Sequence, residues 1–162
     1  PRVQVSGHYL ADRLYLLDNP KHDGLGGVEV FAPFVLRDQS SLLLVDLGFL
    51  PGNGNGKTPQ LPALPTTEIS LQGLYVPPPP VGFEMGGDAL ARQTHWPKNS
   101  IFLDPAEIAR DLGRPLYPRM LALDADPGRA MAGAEGFMKL YESVPVTAAQ
   151  RALRFWKVRA AA

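Results

Sequence analysis

Gly27-Val28-Glu29-Val30-Phe31-Ala32-Pro33-Phe34-Val35-Leu36, then Arg37-Asp38-Gln39, then Leu42-Leu43-Leu44-Val45 is the stretch of this chain that decides its fold. Val28 and Val30 alternate with Gly27 and Glu29 and residues 34–36 cluster, which is the pattern of a strand. Residues 37–39 turn that strand back into the apolar run 42–45, so the pair predicts an antiparallel hairpin. Toward the N-terminus, Val3, Val5 and Tyr9 around Gly7 predict a first strand, and residues 14–17 a second or its continuation past a bulge. Residues 18–27 are rich in turn formers and read as a turn. Toward the C-terminus, 52–65 is a loop of Gly, Asn and Pro, and 67–76 holds a strand that the proline run 77–80 must end.

Two helices are expected. Asp104 at the cap, Pro105 at the first helical position, Glu107 three residues after the cap and Gly113 as a stop define a helix of about two turns. Thr147-Ala148-Ala149-Gln150 repeats the capping pattern before a helix running toward Ala160. Residues 120–123 and 137–141 read as two more strands. Helices do not alternate with strands, so the fold class is mainly β with two short helices: an antiparallel barrel or sandwich in a single domain, 1–162. Its expected core includes Val5, Val30, Leu43, Val45, Ile69, Leu71 and Leu121.

Composition agrees with one loop-rich globular core. The 162 residues include 16 glycines and 17 prolines, about a fifth of the chain, under the ~25–30% that marks low complexity. Sixteen basic and sixteen acidic residues leave no net charge, hence no global field to draw a polyanion, and nucleic acid is not an expected partner. Cysteine is absent, which removes disulfides, thiolate nucleophiles and cysteine metal sites.

Chemical motifs are few. Gly56-Lys57-Thr58 ends like a phosphate loop, but Pro51 stands where the motif needs glycine, and Pro59 and Pro62 block the helix that must follow. His8, His22 and His95 have no helical metal-pair spacing. Asp104, Glu107 and Asp111 fall along one helix face, where capping and solvation account for them. No nucleophile elbow is present, so neither catalytic nor metal-ligating residues are expected. The closing helix differs: Ala149, Ala152, Leu153 and Trp156 share one face, while Arg151, Arg154, Lys157 and Arg159 are positive without an acid among them. Two readings stand, an apolar stripe packed on the core or a contact with a membrane surface or partner.

The order of segments resembles the surfeit locus protein one family of cytochrome c oxidase assembly factors. The resemblance rests on Val5-Ser6-Gly7-His8-Tyr9, Leu17-Asp18-Asn19, Gly27-Val28-Glu29-Val30-Phe31-Ala32-Pro33 and Val45-Asp46-Leu47-Gly48-Phe49-Leu50-Pro51. It continues through residues 69–73, Trp96-Pro97, 104–112 and Arg151-Ala152-Leu153-Arg154-Phe155-Trp156. What it implies is a domain held between two transmembrane helices, in the periplasm of a bacterial inner membrane or on the intermembrane-space side of the mitochondrial one. Its implied partners are the oxidase catalytic subunit and other assembly factors, and its implied cofactor is haem a. Gly7, Gly27, Pro33, Gly48, Phe49 and Pro51 are then structural motif residues, and Arg151, Arg154, Phe155 and Trp156 candidate partner contacts. The chain departs from the family at Asp46-Leu47, at Val28, at Arg151, and at Ala148, where the family has a histidine implicated with haem. Two expectations follow: an assembly factor serving haem a, or a related protein-interaction module that kept the scaffold without haem.

Overall fold

The computed structural model describes residues 2–22, 25–51, 61, 63–78 and 89–123. Seven strands and one helix lie in this part: β1 (Arg2–Tyr9), β2 (Tyr15–His22), β3 (Leu25–Leu36), β4 (Leu42–Pro51), β5 (Ile69–Val76), β6 (Lys98–Ser100), α1 (Pro105–Leu112) and β7 (Met120–Leu123). The strand order is β1-β5-β7-β4-β3-β2-β6, and β1 also pairs with β3. That extra pairing closes β1, β5, β7, β4 and β3 into a five-stranded barrel, with β2 and β6 continuing the sheet outside it. The expected β-rich fold is therefore present. Residues 137–141 and the closing helix lie outside the described residues.

The hairpin predicted from residues 27–45 is the longest pairing, Gly27↔Pro51 through Val35↔Leu42. One irregularity interrupts it: Val30 faces Gly48 while Phe31 faces Asp46, leaving Leu47 as an extra residue. Gly48 takes φ 110, a backbone that side-chain-bearing residues rarely adopt, and its N–H donates to Asp46 Oδ1 at 2.9 Å. The bulge also changes the phase of the pleat. Leu43, Val45 and Leu47 reach the interior from odd positions, and the extra residue lets Leu50 reach it from an even one, where an unbroken strand would turn it outward.

Barrel closure depends on near contact between backbones. A Cβ built on Gly7 would lie 1.9 Å from Val35 O, and one on Gly73 would lie 2.2 Å from Ala122 O, so only glycine fits at the β1/β3 and β5/β7 joints. Pro33 shows how one long strand serves two neighbours. β2 pairs with β3 as far as Tyr15↔Phe31, and β1 takes over at Tyr9↔Phe34. Pro33 falls in the gap, and its carbonyl accepts from Leu10 N–H at 3.0 Å. In a strand a residue's N and C=O point the same way, so the donor that proline lacks would have pointed into the gap and no ladder bond is lost.

The strands depart from the sequence expectation in two places. Residues 18–22 continue β2 instead of turning, with a register shift between Asn19 and His22 absorbing the turn formers. Two pairings are parallel, β2 with β6 and β4 with β7, each between strands that are far apart in the chain instead of joined by a hairpin.

The apolar side chains form two clusters. Val30, Phe34, Leu43, Val45, Leu71 and Leu121 lie in the barrel interior, with Val5 and Ile69 packed against them. Tyr15, Phe31, Leu44, Leu90, Ile108 and Met120 form a second layer on the outer face, under α1. Phe31 and Leu44 alternate with interior neighbours, which is why 42–45 is unbroken in apolarity: both of its faces are covered.

Candidate functional site

A buried ion pair lies where β2, β6 and α1 meet. Parallel pairing sets Lys98 opposite Tyr15, and α1 brings Asp111 over both. Lys98 Nζ lies 2.8 Å from Asp111 Oδ1, with side chains only 9% and 6% exposed. The Tyr15 hydroxyl donates to Asp111 Oδ2 at 2.7 Å, so each carboxylate oxygen has its own donor. Trp96 roofs the group, edge-on to Tyr15 at 5.3 Å, with Lys98 Nζ 4.6 Å and Arg13 Cζ 5.1 Å from its ring centre. Both cations are placed to meet the negative ring face. The Trp96–Pro97 bond is cis.

Burial, then the hydrogen bond to Asp111, then that carboxylate's charge push the Tyr15 hydroxyl well above the ordinary tyrosine range, so it remains a donor at any physiological pH. Lys98 meets a carboxylate, Asp111 meets a cation and a hydroxyl, and the net charge of the trio is zero. Such a group holds three elements in register; it offers neither an unpaired base nor an activated nucleophile.

The local sequence explains α1. Asp104 accepts from Ala106 N–H at 3.0 Å, Pro105 opens the helix and Gly113 closes it at φ 68. Glu107 does not serve a capping box; it accepts from Leu90 N–H at 3.1 Å, pinning the preceding segment to the helix. Asp111 corrects the sequence reading more sharply. It does not belong to a solvated face: its side chain is buried and held by Lys98 and Tyr15. Beside the cluster is a small cleft of about 10 Å³, room for about one water, lined by Tyr15, Leu17, Leu90, Phe102 and Ile108 among others.

Gly27 and Pro51 are register partners, as are Glu29 and Phe49, Val30 and Gly48, and Pro33 and Leu44. The motif residues of both strands thus meet in one hairpin, with Gly7 at its junction with β1. Arg151, Arg154, Phe155, Trp156 and Ala148 lie outside the described residues. His8 is exposed on β1 and His95 is exposed beside Thr94 Oγ1 at 2.9 Å. Among the described residues no group of three or more His, Asp or Glu is placed to hold a metal, and no helix is long and apolar enough to cross a membrane.

Compared with known families, residues 1–155 match the SURF1 family. Among curated proteins none matches the chain.

Proposed function

This chain belongs to the SURF1 family, and on that footing we propose that it is a cytochrome c oxidase assembly factor. In this reading the barrel docks on oxidase subunits and other assembly factors and helps haem a reach, or settle in, the catalytic subunit, without catalysing bond chemistry itself. The observation that carries it is the family match over residues 1–155, which takes in the whole Gly27–Pro51 hairpin and the Trp96–Asp111 layer. A periplasmic place, or one in the mitochondrial intermembrane space, with membrane helices on either side, belongs to the same proposal. Arg151, Arg154, Phe155 and Trp156 are its proposed partner contacts, because a basic amphipathic face suits an acidic or membrane-proximal surface.

Haem a is cargo here. The cleft beside Leu90 takes about one water, and His8 and His95 are exposed on separate segments. Ala148, where the family has its histidine, supports a second reading in which the scaffold serves protein contacts alone.

Deleting the gene and restoring it in its own host tests the first reading. Oxidase activity and the haem a absorption band of the membranes should fall together and recover together with the wild-type chain. Unchanged oxidase activity would overturn the proposal. Titrating purified protein with haem separates the two readings: a saturable low-spin band at about one haem per chain, removed by changing a single histidine, supports a direct haem role, since an imidazole is a common axial ligand.

A further inference from the structure

At its outer edge the sheet ends in β6, three residues long. Lys98 N–H donates inward to Leu14 O at 3.0 Å, so the N–H and C=O of Asn99, one residue on, point away from β2. An outward pair of this kind is the template on which a foreign strand adds. Here both groups are taken by one side chain. Asn99 N–H donates to Gln93 Oε1 at 2.8 Å, and Gln93 Nε2 donates to Asn99 O at 2.7 Å. The carboxamide presents one acceptor and one donor side by side, as the backbone of an antiparallel neighbour does.

The guard is itself held. Gln93 Nε2 also donates to Ala89 O at 3.1 Å, Gln93 N–H donates to Leu90 O at 3.1 Å, and Leu90 N–H is anchored on Glu107 of α1 at 3.1 Å. One residue suffices because the edge is short: at Ser100 the chain turns, the Ser100 hydroxyl oxygen accepting from Phe102 N–H at 3.1 Å. Just beyond the guarded position stand Ile101 and Phe102, 68% and 39% exposed, the apolar surface that would make an open edge adhesive.

We propose that Gln93 is a side-chain strand mimic that closes the β6 edge, and that the strand it turns away is β6 of a second copy of this chain. Sedimentation of the full 162-residue chain between about 1 µM and about 100 µM tests it. The parent should sediment as one copy and Gln93→Ala should shift toward two as concentration rises. Adding Asn99→Pro should return one copy, since it removes the outward donor and leaves the ladder to β2 intact. A Gln93→Ala protein that stays single throughout overturns the proposal, and so does association that Asn99→Pro leaves unchanged. Amide exchange needs no variant of altered fold: Asn99 N–H in the parent should exchange roughly tenfold or more slowly than an unbonded edge amide. Unprotected exchange there sinks the idea equally.

Discussion

The barrel interior and the layer under α1 each contain a buried tyrosine, and the two are treated differently. Tyr9 stands edge-on to Phe34 at 5.2 Å with its hydroxyl among apolar side chains, the one buried side-chain polar atom without a hydrogen-bond partner among the described residues. Tyr15 spends its hydroxyl on Asp111. The interior is held by apolar packing and by backbones that touch at glycine, so its order comes from shape. The outer layer is held by a neutralised polar trio whose members are up to 96 residues apart, so its order comes from pairing. Shape tolerates no added atom, and pairing tolerates no removed partner.

The sharpest break should come from adding one carbon to the interior. Gly7→Ala puts a methyl 1.9 Å from the Val35 carbonyl oxygen, and because the obstacle is backbone the barrel has to open at the β1/β3 joint. The expected loss exceeds about 4 kcal/mol, read by urea denaturation, or as no soluble folded protein. Next in size is the removal of a partner from the outer layer. Lys98→Met leaves the Asp111 carboxylate buried beside a thioether and should cost about 3–5 kcal/mol, whereas Lys98→Met with Asp111→Leu removes both charges and should recover most of it. If the double variant is no more stable than the single one, Lys98 and Asp111 are not a compensating pair.

Alkaline pH should strain both regions through their tyrosines. Burial raises the hydroxyls of Tyr9 and Tyr15 above the ordinary value of 10.0. The unfolded chain therefore releases those protons near pH 10 while the folded chain keeps them. Stability is fully present below pH 10 and falls above it, by about 1.4 kcal/mol per pH unit for each tyrosine that keeps its proton in the folded chain. Melting curves from pH 7 to 12 should be flat and then drop, and Tyr9→Phe should flatten much of the drop. The smallest effect discriminates best. At neutral pH Tyr15→Phe removes a bond to a charged acceptor and should cost about 1.5–3 kcal/mol, while Tyr9→Phe removes an orphan hydroxyl and should be neutral or stabilising by about 1 kcal/mol. Equal losses for the two would erase the distinction.

The interior was legible in the sequence and the outer layer largely was not, for a reason visible in particular residues. Val30, Leu43, Val45 and Leu71 declare themselves because alternation is a local signal, and Asp104 with Gly113 marks the ends of α1 because capping acts within one turn. Lys98 and Asp111 carry no such mark. Each looks solvated on its own, and only the parallel crossover that carries β6 onto β2 makes them a pair. β6 itself has three residues and no room for a period. Gln93 was equally silent, since a strand-mimicking amide is defined by the edge it meets. Trp96-Pro97 and residues 104–112, quoted for their family resemblance, are the segments that carry this layer, and resemblance reached there before periodicity did.

β3 has a mechanical consequence. It is one beam with two supports in series on the same side, β2 along Leu25 to Phe31 and β1 along Phe34 to Leu36, separated by a span of two residues containing Pro33. A pull on β2, delivered by whatever grips β6 or α1, is carried along β3 across that span into the β1 joint, where Gly7 leaves no slack. Hydrogen bonds loaded along a strand yield together instead of one by one, so such a pull meets the stiff direction of the sheet. The outer layer is thus joined to the β1/β3 seam through this one strand.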